Sequence, residues 1–300
     1  MKTNFFYKQL ILIGGGHSNI QILKHLCMYE YQGLHTILIS NEYYFTYSGM
    51  TPGYITNNFS KENVNIDLQK LCFNAGVIFI KDEVIGLKDI NKKIFLKKNP
   101  PLYFDYLSIN SGSISKKIDL KIHEKSNCIS VKPISSLLKS ITKIDKETYG
   151  VNDLNISIIG GGIASYELGF SLKQRYQDKV HISIIGKKLL SEKNINAFSK
   201  KQIRKTANNL GIKEIKGSVH EIFEKKIALT NGKNIKSDIN LISTGAELAP
   251  WLKECSLKKT DSGFMAVNKF LQSHSNKKVF ITGDIAEIDG IDRPKSGVMA

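Results

Sequence analysis

A chain of 300 residues, 41% hydrophobic and 23% charged, is long enough for about two domains with cores of their own. No apolar run reaches the roughly 18 residues of a bilayer span, and MKTNFFYKQL lacks a signal peptide's apolar stretch and cleavage site, so a cytoplasmic protein is expected. The net charge of +16 comes from scattered lysines with little arginine; this whole-chain bias predicts no nucleic-acid partner and only a peripheral attraction to anionic lipid.

Lys8 to Ile13 is a short stretch, apolar without a break from Leu10 onward, suited to a buried parallel strand. GGGH follows, and residues 18–30 carry an apolar stripe at Ile22, Leu23, Leu26 and Cys27 that predicts a helix. Gly33 stops it, and HTILIS reads as a second buried strand. Next, LQKLCFNAGVIFIKDEVIGL predicts a helix, an Asn-x-Gly stop and a strand; NKKIFLKK predicts a hairpin; FDYLSINSGS predicts an acid, a strand and a small-residue turn. CISVKPISSLLKSITKIDKETYGVNDLN reads as a helical segment that carries the chain onward.

The same order then repeats. LNISIIGGGIASYELGFSLKQRYQDKVHISIIGKK gives strand, glycine turn, helix and strand, IRKTANNLGIKEIKGSVHEI the second helix and strand, KKIALTNGKNI a hairpin, and SDINLISTGA the closing acid, strand and turn. The remainder supplies two further strands, the second of them KVFIT, ahead of a Gly-Asp turn. One glycine turn is weak evidence, but two followed by the same elements at nearly equal spacing are strong evidence for duplicated dinucleotide-binding units. The expected fold is α/β with two Rossmann-like domains, the second inserted in the first: 1–125 with 265–300, and 126–264.

In the first turn, Gly14 permits the tight bend and Gly16 lets backbone N–H groups approach a pyrophosphate at the positive end of the helix dipole. Gly160 and Gly162 do the same in the second copy. The third glycine position holds Asn19 in one copy, expected to push the helix slightly off the strand, and the smaller Ser165 in the other. His17, beside the pyrophosphate position, is read as a positioning residue. At the ribose end, Ser40, Asn41 and Glu42 contain one acid, whereas Gly186, Lys187 and Lys188 contain none, which leans the second site toward NADPH. The four cysteines form no CxxC or similar pair, so neither a metal site nor a local redox dithiol is expected.

These stretches, together with YFTYSGMTPGYI, VKPI, STGAELAPWL, VFITGDIAE and RPKSGVMA, resemble FAD-dependent pyridine nucleotide-disulfide oxidoreductases of the type II NADH dehydrogenase kind. They are most similar to the branch associated with or fused to selenide, water dikinase. The resemblance implies an FAD site of Gly14, Gly15, Gly16, His17 and Ser18 with Ser40, Asn41, Ser111, Gly112, Gly283 and Asp284, and an isoalloxazine lined by Tyr47, Met50 and Pro52. It implies an NADH or NADPH site of Gly160, Gly162, Ile163, Ser165 and Glu167 with Lys187, Thr244 and Gly245. Lys132 is a candidate for a role near the flavin, with a plain hinge as its other reading.

The cysteine pair of disulfide-reducing members is missing from YYFTYSGMTPGYI, and only Cys128 could stand in for the cysteines of sulfide:quinone reductases. In the family, RPKSGVMA precedes a further segment, so truncation at Ala300 is expected. The implied activity is NAD(P)H:acceptor oxidoreduction with a quinone acceptor. A flavoprotein module serving selenide, water dikinase is one alternative, and a non-catalytic dinucleotide-binding remnant is another.

Overall fold

The run KQLILI forms a strand whose exposure falls along its length until Ile11 and Leu12 are fully enclosed, as a central parallel strand requires. In the computed structural model, which describes residues 8–116, 120–148, 153–192 and 195–291, this strand begins the first of two units. The principal elements in chain order are β1 (Lys8–Ile13), α1 (His17–Met28), β2 (Leu34–Ser40), α2 (Leu68–Asn74), β3 (Ile78–Lys81) and β4 (Tyr106–Ile109). There follow β5 (Cys128–Ser130), α3 (Ile134–Thr148), β6 (Leu154–Ile159), α4 (Ile163–Tyr176) and β7 (Val180–Gly186). The series closes with α5 (Ala197–Asn209), β8 (Lys213–Lys216), β9 (Ile239–Ile242) and β10 (Val279–Ile281).

The first unit holds a five-stranded parallel sheet in the order β10-β4-β1-β2-β3. Alternation sorts its side chains: Leu12 and Leu38 meet Ile20, Leu23, Leu68 and Cys72 of α1 and α2. On the other face Ile11, Ile13, Ile37 and Ile39 meet Val84, Leu87, Ile94 and Leu96 from the antiparallel strands that follow β3. The second unit repeats the design as β5-β9-β6-β7-β8, again parallel throughout. There Ile156, Ile158, Ile182 and Ile184 pack on the helical side, while Ile159 and Ile185 meet Ile222, Ile227 and Leu229 of the hairpin. Each such isoleucine contributes roughly 1.5–3 kcal/mol by leaving water.

The duplication extends to single hydrogen bonds. Asp105 Oδ2 accepts from Gln9 N at 2.9 Å, and Asp238 Oδ2 accepts from Asn155 N at 2.8 Å. The acid preceding the fourth strand of each repeat thus pins the start of the first. The helices α2 and α5 both begin at a side-chain cap, Asp67 accepting from Lys70 N and Asn196 from Ser199 N.

In its elements and units the structure differs from the sequence reading in two places. Residues 128–130 form strand β5 against β9 instead of opening a helix: Ile129 is β-branched and buried, and the helix begins only after Pro133. The units also divide at other points than 126 and 265. The first gathers the described residues up to 47, 65–114 and those from 246 onward; the second comprises 48–64 and 115–245. Residues 246–264 go with the first because Leu248, Leu252, Cys255 and Leu257 complete its core. Ile55 packs in the second unit's core, and Lys121–Ile122 pairs there with Val219–Ile222. The stretch RPKSGVMA lies outside the described residues.

Candidate functional site

Both glycine turns sit at the carboxyl ends of parallel strands, where ligands bind in open α/β sheets. Gly14 has φ +82°, and a Cβ there would stand 2.5 Å from Ser111 Cα, so both conformation and space demand glycine. A Cβ on Gly15 would meet Leu68 Cδ1 at 2.4 Å, and one on Gly16 would meet Asn110 Oδ1 at 2.2 Å. In the second unit Gly160 has φ +148° and a Cβ there would lie 1.9 Å from Ser243 O; one on Gly161 would lie 1.9 Å from Lys188 O. The stitching matches: Gly14 N donates to Ile39 O and Gly160 N to Ile185 O, each at 2.8 Å. Asn110 N and Ser243 N then close on Ile13 O and Ile159 O, also at 2.8 Å.

The two helix N-termini are finished differently. In α1, Ser18 N donates to Asn110 Oδ1 at 3.0 Å, a neutral cap from the turn after β4. Asn19 does not loosen the helix as expected. It is fully buried, its Nδ2 donates to Gly14 O at 2.7 Å and Ile13 O at 3.1 Å, and Ser108 Oγ donates to its Oδ1 at 2.6 Å. The larger side chain fills the gap that a third glycine would close, and bonds both elements together. In α4, Ile163 N donates to Glu192 Oε1 at 2.7 Å, and Ser165 is buried with its Oγ unpaired.

Around the first turn, His17 packs edge-on against Phe45 and Tyr47, with ring centroids 4.8 and 5.2 Å apart. Burial pushes its imidazole below the ordinary value, against an opposing pull from Asp284. Asp284 follows Gly283 in a short helical turn after β10 and accepts from Ser113 Oγ at 3.1 Å. Gly112 continues the β4 turn from Ser111. Ser40 ends β2, its Oγ accepting from Glu42 N at 3.1 Å, with Asn41 exposed beside it. The structure therefore brings His17, Ser111, Gly112, Gly283 and Asp284 to one sheet edge with the glycines. Tyr47 belongs to the first unit, whereas Met50 and Pro52 belong to the second.

In the second unit, Lys187 and Lys188 are exposed just past β7. Thr244 Oγ1 donates to Lys116 O at 2.8 Å, and Gly245 O accepts from Lys116 N. Glu167 lies one turn into α4; desolvation by the surrounding chain raises its carboxyl although the side chain still reaches solvent. Lys132 stands half-buried between β5 and α3, its carbonyl bonded to Ser130 Oγ, and is part of neither glycine turn.

Six buried side-chain polar atoms among the described residues have no partner. Four of them, His17 Nε2, Thr282 Oγ1, Ser165 Oγ and Glu192 Oε2, lie at these two sheet edges, where a polar ligand would satisfy them. Together with the two cradles that a Cβ would fill, this fits a phosphate-bearing dinucleotide at each turn. Asn110 and Glu192 are absent from the residues expected from sequence. Asn110 sits inside the quoted INSGS turn, whereas no pattern marks Glu192. All four cysteines are free, and burial pushes the Cys72 thiol up to about 12 and raises Cys128 and Cys255.

Two parallel sheets, each with a glycine turn leading into a helix, define the fold of FAD/NAD(P)-binding oxidoreductases. Residues 8–300 match the family described as pyridine nucleotide-disulphide oxidoreductase, and the chain belongs to that family. It is 22% identical over 227 residues to ferroptosis suppressor protein 1 of Xenopus tropicalis, covering 70% of this chain and 58% of that protein. Its fold is similar to the sulfide:quinone oxidoreductase of Aquifex aeolicus (TM-score 0.76, 18% identity, 97% of this chain and 73% of the other). It is also similar to a water-forming NADH oxidase of Lactobacillus brevis bound to NADH (TM-score 0.78, 14% identity, 93% and 62%). The chain thus spans less than two thirds of the length of the frog protein.

Proposed function

We propose that the chain is an FAD-dependent NAD(P)H oxidoreductase with a quinone as electron acceptor. The observation that carries this reading is the repeated construction of the two turns: the same glycine cradle at a helix N-terminus, built twice and closed by the same backbone bonds. The first turn takes the FAD pyrophosphate on the N–H groups at the start of α1. His17 and Asp284 flank it, and the neutral imidazole offers a donor or acceptor to the cofactor. The second turn takes the pyrophosphate of NADH or NADPH at the start of α4, with Lys187 and Lys188 toward the adenosine ribose and Glu167 toward the nicotinamide. FAD, when bound, supplies the hydride-accepting ring and the route by which electrons leave for the acceptor.

The protein's contribution is binding and orientation. Burial raises the thiols of Cys72, Cys128 and Cys255, which does not favour thiolate chemistry at those three and supports an acceptor other than a disulfide. The name of the Aquifex relative supports a quinone. A quinone dissolved in lipid would bring this chain of charge +16 to an anionic membrane surface from the cytoplasmic side.

The test is the anaerobic visible spectrum of the purified chain, first with NADH, then with NADPH, then with a short-chain quinone. A flavin band that bleaches with a nucleotide and returns with the quinone is expected. A protein that neither carries nor takes up FAD, or a flavin that no reduced nucleotide bleaches, would refute the reading.

A further inference from the structure

The N-terminus of α4 already has an anionic occupant. Ile163 is the first residue of the helix, and its N–H has no intrahelical acceptor because of its position. Gly162, at the cap position, has no side chain to offer. Glu192, 29 positions away in the chain, reaches in and accepts from Ile163 N at 2.7 Å. Its Oε1 would stand 2.9 Å from a Cβ on Gly162, so the carboxylate lies directly over the turn. The loop leading to it is held against the same glycines: Leu190 N donates to Gly161 O at 2.8 Å, and Lys188 O closes on Gly161. In the first repeat the helix start is met instead by the neutral amide of Asn110, from the turn after β4, which takes the second helical N–H, that of Ser18.

We infer that Glu192 is a built-in competitor for the pyrophosphate of NAD(P)H, and so sets the affinity of the second unit for its dinucleotide. This rests on the function proposed above and goes beyond it by adding a residue that opposes binding. A carboxylate and a phosphate oxygen both need the Ile163 N–H and the positive end of the α4 dipole, and two anions cannot share that position. The dinucleotide therefore binds only the fraction of molecules in which Glu192 has turned away, and its apparent affinity falls by that fraction.

The carboxylate is suited to be displaced. Its Oε1 is bonded, but its Oε2 is buried without a partner, which costs free energy that is recovered when the side chain turns out to water. A fully bonded carboxylate would block the turn firmly; a half-bonded one yields to a ligand that brings two phosphates. A plain helix cap is the competing account, and it makes a different forecast. Loss of a cap weakens the helix and leaves affinity unchanged or lower, whereas loss of a competitor raises affinity.

The experiment is calorimetric titration of the FAD-loaded chain and its Glu192→Ala variant with ADP-ribose, which carries the pyrophosphate and no reducible ring. Adenosine, which carries no phosphate, is titrated in parallel, and thermal melts confirm that both proteins are folded. The variant is expected to bind ADP-ribose about three- to tenfold more tightly, the size of a helix-terminal charge interaction, with adenosine binding unchanged. Glu192→Gln, which keeps an acceptor but loses the charge, should fall between the two. Equal or weaker binding of ADP-ribose by the alanine variant would overturn the inference while leaving the dinucleotide site intact. Failure of every form to bind ADP-ribose would overturn both.

Discussion

The third glycine position of the first turn provides a demanding test, because restoring the motif should damage the protein. Replacing Asn19 by glycine removes a side chain that is fully buried and makes three hydrogen bonds. Ile13 O keeps a second donor in Asn110 N at 2.8 Å, so its loss is small. Gly14 O and Ser108 Oγ lose the buried partner recorded for each, and a void of side-chain size opens between α1 and the sheet. At roughly 0.5–1.5 kcal/mol per hydrogen bond, with extra cost for buried groups left unmet, the variant should lose about 2–4 kcal/mol. Trp251 is the single tryptophan and packs against the first unit's core, so its fluorescence follows that unit through urea unfolding. The expected midpoint shift is about 1–2 M urea. Ser108→Ala, combined with Asn19→Gly, should cost less than the two single losses added, because the pair shares one bond. An Asn19→Gly protein as stable as the parent would show that the helix simply closes on the strand, and the reasoning would fail.

Two further outcomes are expected. Arg175 holds Asp145 through Nε at 2.8 Å and Nη2 at 2.7 Å, donates from Nη1 to Ile55 O at 2.8 Å, and shares Asp145 with the Tyr176 hydroxyl. Arg175→Met should destabilise the second unit by about 1–3 kcal/mol, discounted because Asp145 is partly exposed. Burial opposes the charged form of Asp145, but Arg175 and Tyr176 outweigh it and hold the carboxyl below the ordinary value of 3.8. That contribution is therefore present above pH 3.8 and lost as pH falls through the lower folded-state value, so parent and variant should converge in acid melts. Divergence instead of convergence would count against it. For the exposed lysines past β7, the double change Lys187→Ala, Lys188→Ala should weaken NADPH binding about three- to tenfold and NADH binding less than twofold. Equal losses for both nucleotides would assign the pair to the general charge of the chain.

Repetition was readable because strands buried on both faces leave runs dominated by leucine and isoleucine, and because glycine is forced wherever backbone meets backbone. KQLILI, LNISII, Gly14 and Gly160 are of this kind, and each lies where its pattern places it. Strand β5 was not readable, since three residues ahead of a proline carry no period. The division between units was obscured for a related reason. Residues 246–264 belong to neither repeat and form only the two-residue strand Ala246–Glu247 and the short helix Pro250–Glu254, so their allegiance depends on Leu248, Leu252 and Leu257 finding the first core. Asn19 was misjudged from size alone. Two of its three bonds reach back to Ile13 and Gly14, but the third comes from Ser108, which is far away in sequence, and no local pattern reports such a partner.

The parts that repeat and the parts that do not divide the labour between scaffold and site. Sheet order, the Asp105 and Asp238 ties, the capped helices α2 and α5 and the backbone closure of each turn are held in common, so they belong to the task of presenting a helix N-terminus. What differs is the side chain set upon that terminus. A neutral amide leaves the first turn compatible with an anion that stays, as a resident flavin would. A carboxylate at the second turn opposes an anion and suits one that must arrive and leave in each cycle. Under the proposed function the same fold would serve a cofactor and a substrate of nearly the same chemistry, and the difference in residence would rest on one uncharged and one charged side chain.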